Sequence, residues 1–134
     1  MGKNNLEERL INFAVLVIRI AEKMKKTFAG NDLSSQLIRS STSAAQNYGE
    51  AESAESRKDF IHKIKVVLKE LRESQVSLKI VYRSQLHHEQ DLVQSAIEES
   101  NELISIFVTS VKTAMKNIQS EQAKISKDQR SKSS

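Results

Sequence analysis

Proline is absent from all 134 residues, and glycine occurs only at Gly2, Gly30 and Gly49. Sheet proteins reverse their strands with those two residues, so hairpins in this chain would lack their usual turns. Alanine, leucine, lysine, glutamate and glutamine fill the intervening stretches, and all are strong helix formers. An all-α fold is the class that remains. The length suits one domain with a core of its own.

Apolar spacing divides the chain into four amphipathic segments. The first helix is predicted over about Asn5 to Ala29, with Leu6, Leu10, Phe13, Val17, Met24 and Phe28 on one stripe and Gly30 as its stop. Lys23, Lys25 and Lys26 then fall near its C-terminus, where the helix dipole favours cations. Ile11, Val15 and Ile18 lie off that stripe, so the middle of this helix is apolar nearly all round. A second helix is expected from Asn31 or Asp32, either of which can cap it, to about Ser53. Its inward positions are Leu33, Leu37, Ser40, Ala44 and Tyr48, within an unusually small-sided run.

The third helix, capped by Ser53 or Ser56, is expected to reach Leu86 with Phe60, Ile64, Val67, Leu71, Ser74, Leu78 and Val81 on one face. A connector of Leu86, His87, His88 and Glu89 leads to the fourth, marked by Val93, Ile97, Ile104, Phe107, Val111, Ala114 and Ile118. Short polar connectors favour antiparallel neighbours, hence an up-and-down four-helix bundle over residues 1–119. Beyond Gln119 the pattern fades, and residues 120–134 read as a polar, basic, disordered tail.

The formal charge of +4 is unevenly placed. Residues 1–111 carry 15 basic and 15 acidic side chains, whereas Lys112, Lys116, Lys124, Lys127, Arg130 and Lys132 face only Glu121 and Asp128 beyond them. Any contact with phosphate is therefore expected at that end, with Lys23, Lys25 and Lys26 as a further basic cluster. The aromatic residues mostly occupy core positions, which leaves no stacking platform for bases. Cysteine is absent, which agrees with a reducing cytoplasm and removes disulfides, thiolate metal sites and a thiol nucleophile. The first residues lack the pattern of a signal peptide, and Leu10–Ala21 is shorter than the roughly 20 residues that span a bilayer. A soluble cytoplasmic protein without membrane contact is the expectation.

At about 100° per residue, Gln36, Arg39, Ser43, Asn47 and Glu50 form a polar ridge beside the apolar face of the second helix. Asp59, Lys63, Glu70 and Ser77 form a similar flank on the third, with Glu73 one turn from Glu70. If the flanks face each other, Arg39 is placed to pair with Glu70 or Glu73 and set helix register. The ridge is read as a structural or interface feature.

The same residues carry a resemblance. Leu33-x-x-Gln36-Leu37-x-Arg39-Ser40-x-x-Ser43-x-x-x-Asn47-Tyr48-x-Glu50-Ala51, then Asp59-Phe60-x-x-Lys63 and Leu68-x-Glu70-Leu71-x-Glu73-Ser74, resemble the small bacterial four-helix bundle family encoded in intervening sequences of 23S ribosomal RNA genes. A related branch is the accessory variability protein of diversity-generating retroelements. The resemblance implies a homopentameric barrel of bundles and, for the retroelement branch, binding to nucleic acid and a reverse transcriptase. Tyr48-Gly49-Glu50-Ala51 replaces the common apolar-Ala-Glu-Gly run after the matching asparagine, which places the chain in another branch. In such an assembly, Ile11, Val15 and Ile18 become candidates for a subunit interface.

Catalytic and metal chemistry find little footing. Ferritin-type sites need Glu-x-x-His on two helices plus two further glutamates, and only Asp59-x-x-His62 comes near. His87 and His88 fall in a connector, where solvated imidazoles are expected. No serine has an identifiable base, Glu70 and Glu73 form an ordinary i, i+3 pair, and no glycine-rich phosphate loop occurs. The sequence thus points to a non-enzymatic, cofactor-free assembly or adaptor protein that binds itself. The alternative is an accessory protein for RNA or DNA, with or without a reverse transcriptase.

Overall fold

The computed structural model describes residues 4–133, with side chains from 5 to 131. Four helices follow in order: α1 (Asn4–Glu22), α2 (Phe28–Glu52), α3 (Arg57–Arg83) and α4 (Gln90–Ser133), with no strand among the described residues. Each packs on its neighbours in sequence, and α1 also meets α4, so α1 and α3 lie diagonally across the bundle, as do α2 and α4. The fold expected from apolar spacing is the one found.

The core is where the four stripes converge. Leu10, Phe13 and Val17 of α1, Leu37 and Ala44 of α2, Ile64, Leu71 and Leu78 of α3, and Val93, Leu103 and Phe107 of α4 are all buried. Each large side chain of this set contributes about 1.5–3 kcal/mol when removed from water. Tyr48 meets Phe107 edge-on across the core, with centroids 5.6 Å apart and planes at 78°. Arg9 ties α1 to α4 through Glu99, with Nη2 2.8 Å and Nε 3.2 Å from its two carboxylate oxygens, and reaches Glu102 at 3.1 Å. The Arg9–Glu99 contact is the bidentate geometry that a guanidinium offers a carboxylate.

The first boundary differs from the expectation. Helix α1 stops at Glu22, and Thr27 caps α2 by accepting from the Gly30 amide at 3.0 Å. Gly30 therefore sits in the first turn of α2 instead of ending α1. Its role is close approach, since a Cβ there would lie 2.1 Å from the Lys25 carbonyl oxygen. Phe28, expected in the apolar stripe, opens α2 and is 93% exposed.

At the other hairpin, Ser56 caps α3 by accepting from Asp59 N at 3.1 Å. Helix α3 ends at Arg83, three residues before the expected Leu86. Gln85 takes a left-handed backbone (φ 54°), while Leu86 N donates to Val81 O and Gln85 N to Tyr82 O. That bond pair is a Schellman ending, built on glutamine where glycine is usual, so a search for glycine stops does not find it.

Helix α4 also departs from expectation: residues 120–133 continue as helix where a disordered tail was expected. Every side chain described from 119 to 131 is exposed. No helix among the described residues is long and apolar enough to cross a membrane.

Gly30→Ala should lower the melting temperature although alanine is the better helix former, because the Cβ collides with backbone; about 1–3 kcal/mol is the expected loss. Gly49→Ala should raise it, with a gain in stability of about 0.5–1 kcal/mol. The nearest atom to its added Cβ is Glu7 Oε2 at 3.5 Å, an ordinary contact. Thermal melts of the two variants against the parent chain check both signs.

Candidate functional site

The polar ridge of α2 does face α3, though not through the expected pair. Ser40 and Ser74 meet at 2.7 Å inside the bundle, and Lys63 Nζ reaches Glu50 Oε1 at 3.2 Å near the other end of the seam. Asn47 donates to Ser43 O at 2.9 Å and Ser43 Oγ at 3.1 Å, and Gln36 donates to Asp32 Oδ2 at 2.7 Å. Ser43, Asn47 and Gln36 thus spend their polar groups along α2 itself. Arg39 forms no ion pair with Glu70 or Glu73 among the described residues. It is exposed on the rim of a groove, whereas Glu70 is turned inward and buried.

That groove, between α2 and α3, encloses about 800 Å³. Leu33, Leu68, Val76 and Ile80 supply apolar surface, and Arg39, Lys65, Lys69 and Arg72 supply positive charge against the single acid Glu73. Val76 and Ile80 are 56% and 45% exposed, unusual for β-branched residues flanking a closed core. Behind this wall, burial raises the proton affinity of Glu70, helped by the nearby Glu73 carboxylate and opposed by Lys69 and Arg39. Its Oε2 is buried without a hydrogen-bond partner.

The other candidate residues fall on separate surfaces. Ile11 and Val15 are 40% and 41% exposed on α1, with Ile18 half-buried beside them. Lys23, Lys25 and Lys26 occupy the α1–α2 connector, which is joined to the α3–α4 connector by Lys25 N donating to Leu86 O at 2.9 Å. Helix α4 ends at the opposite pole, where Arg57 at the start of α3 pairs with Glu121 at 3.0 Å. The two basic clusters are consequently a bundle length apart, because the first and fourth helices of an up-and-down bundle run in opposite directions. They do not pool their charge on one rim.

Along α4, Lys112, Lys116, Lys127 and Arg130 are all exposed, and at about 100° per residue they share an arc of about 60°. Lys124 lies beside that arc, and the side chain of Lys132 is outside the described residues.

His87 was missed as a structural residue. It is 3% exposed, with Nε2 3.0 Å from Ile20 O and Nδ1 accepting from Glu89 N at 3.0 Å. The partners assign the tautomer with the proton on Nε2. His88 is exposed, as expected of a connector. Among the described residues, no group of three or more His, Cys, Asp or Glu side chains is arranged to hold a metal.

Residues 3–109 match the family described as 23S rRNA-intervening sequence protein. The chain belongs to that family. A solved relative agrees with the assignment: the crystal structure of a protein with unknown function from the S23 ribosomal protein family of Bacteroides thetaiotaomicron VPI-5482 superposes with a TM-score of 0.69 at 28% identity. The match covers 80% of this chain and 98% of that one. No curated protein matches significantly. The matched span includes the whole ridge and groove and stops before the basic stripe of α4 is reached.

Glu70 gives a pH-dependent test. Its proton affinity is higher in the folded than in the unfolded chain, so ionised Glu70 costs stability at neutral pH, and the cost disappears below the ordinary carboxylate value of 4.5. Glu70→Gln should therefore raise the melting temperature at pH 7 by roughly 2–5 °C, a gain of about 1 kcal/mol, and lose that advantage by about pH 4.

Proposed function

We propose that this protein is a non-enzymatic assembly module, a bundle that associates with copies of itself and serves as an adaptor. The observation that carries the reading is a surplus of apolar surface. The core is closed and fully populated, yet Ile11 and Val15 on α1 and Val76 and Ile80 on α3 stay in water. Ordered apolar strips on the outside of a filled bundle are what subunit interfaces leave behind when one copy is viewed alone. The assembly proposed is the homopentameric barrel that the family resemblance implies, and the cysteine-free sequence supports a cytoplasmic setting. Light scattering at micromolar concentration should give five times the 15.2 kDa of one chain. A mass of one chain would remove the reading.

A second reading rests on the basic stripe of α4. Lys112 to Arg130 spans about 27 Å of helix axis at 1.5 Å per residue, enough to follow several phosphates of an RNA or DNA backbone. Multiplied by assembly, such a stripe converts weak single contacts into useful avidity. A reverse transcriptase is the protein partner this reading would add. Binding to RNA and duplex DNA should weaken steeply with salt, and Lys116→Ala with Lys127→Ala should lower the salt slope by about 2 if both contact phosphate. Absence of binding at low salt would eliminate this reading and leave the first intact.

A further inference from the structure

We infer that the two exposed strips are the two halves of one interface: α1 of one copy lies in the α2–α3 groove of the next. The inference rests on the proposed self-association and identifies the mating surfaces.

The strips are complementary in sequence. On α1, Glu7, Ile11, Val15, Ile18 and Glu22 follow at steps of four, four, three and four, a single outer stripe with acids at both ends and Glu8 beside it. On α3, Lys65, Lys69, Arg72, Val76 and Ile80 follow at steps of four, three, four and four, the outer wall of the groove. Laid parallel with Val15 on Val76, the two stripes put Ile18 against Ile80, Ile11 along the stem of Arg72, and Glu8 beside Lys69. Glu22 then meets Arg83, which is exposed at the end of α3. Apolar groups meet apolar groups, and the acids of one stripe fall on the bases of the other.

The bundle's own register supports a closed assembly. Ser34 Oγ donates to Ala21 O at 3.3 Å, and Ser40 contacts Ser74 at 2.7 Å. Counting six residues back along α2 from Ser40 to Ser34 brings antiparallel α3 to Ile80, so Ala21 and Ile80 stand at one height and Val15 stands level with Ser74. Pairing Val15 with Val76 displaces successive copies by only two residues, about 3 Å along the axis. Two different patches at nearly equal height form a head-to-tail contact of small rise, the arrangement a ring needs, whereas a large rise would climb into a filament. Glu7 abuts Gly49 of α2, so the α1 stripe runs along the flank of α1 that borders α2, and α2 also forms the second wall of the groove. Both patches flank α2, which turns successive copies in one sense around it.

The cysteine-free sequence makes the test clean. Chains carrying Val15→Cys and Val76→Cys together should give, on mild oxidation, a ladder of covalent species ending at the ring size measured by light scattering. Either substitution alone should give none. A bond within one chain is precluded because α1 and α3 are diagonal. Lys69→Glu should shift the assembly to smaller species by at least tenfold in dissociation constant, and adding Glu8→Lys should recover it. An oligomeric double-cysteine chain that forms no ladder, or a single-cysteine chain that forms dimers, would overturn this interface while leaving self-association standing. A monomeric parent chain would overturn both and leave the groove to another occupant, such as an acidic amphipathic helix of a partner protein.

Discussion

The seam between α2 and α3 is held by serine. Ser40 and Ser74 are buried and in contact at 2.7 Å, so two hydroxyls that would each be costly in an apolar interior satisfy one another. Small side chains there let the helices approach closely, and the contact sets where every later residue of one helix falls beside the other. Glu50 and Lys63 meet further along because of that register, and Arg39, Glu73, Val76 and Ile80 come to line one groove. Larger residues at those positions would separate the helices and dissolve the groove.

A second constraint acts at one pole. The two connectors are joined by Lys25 N to Leu86 O, and His87 of the second connector is held against α1 with its ring nitrogens on Ile20 O and Glu89 N. Through these contacts the hairpin α1–α2 and the hairpin α3–α4 share an end. At the opposite pole α4 runs on past its packing partners and carries its basic stripe into solvent. The bundle is thus polar in the directional sense: one pole is closed by a polar lock, and the other presents a cationic helix. Family membership accounts for the bundle and its matched ridge, and the α4 extension lies beyond the matched span.

Burying Glu70 is a departure from local consistency. A carboxylate with a shielded, unpartnered oxygen behind a cationic rim weakens the bundle at neutral pH. The rim that surrounds it lines the groove proposed as the mating surface. Proteins commonly accept such a cost where a surface serves recognition in addition to folding.

The four helices, their core stripes and the polar flanks of α2 and α3 were legible in the sequence, because a 3.6-residue period in hydrophobicity is a local property that needs no partner to be seen. So was the oddity of Ile11 and Val15, which no single packing face could accommodate. Tertiary structure decided the rest. Gly30 marked a close approach to the Lys25 carbonyl and not a helix end, since a missing Cβ says that something is near without saying what. Gln85 ended α3 in a conformation that composition assigns to glycine, and His87 became buried because its connector folds against the end of α1, where the Ile20 carbonyl and the Glu89 amide take its two ring nitrogens. Arg39 and Glu70 stood on the flanks of neighbouring helices yet did not pair with each other, for a wheel gives direction around one helix but neither depth nor the position of the helix opposite. Periodicity specifies which face turns inward; only packing specifies what that face meets.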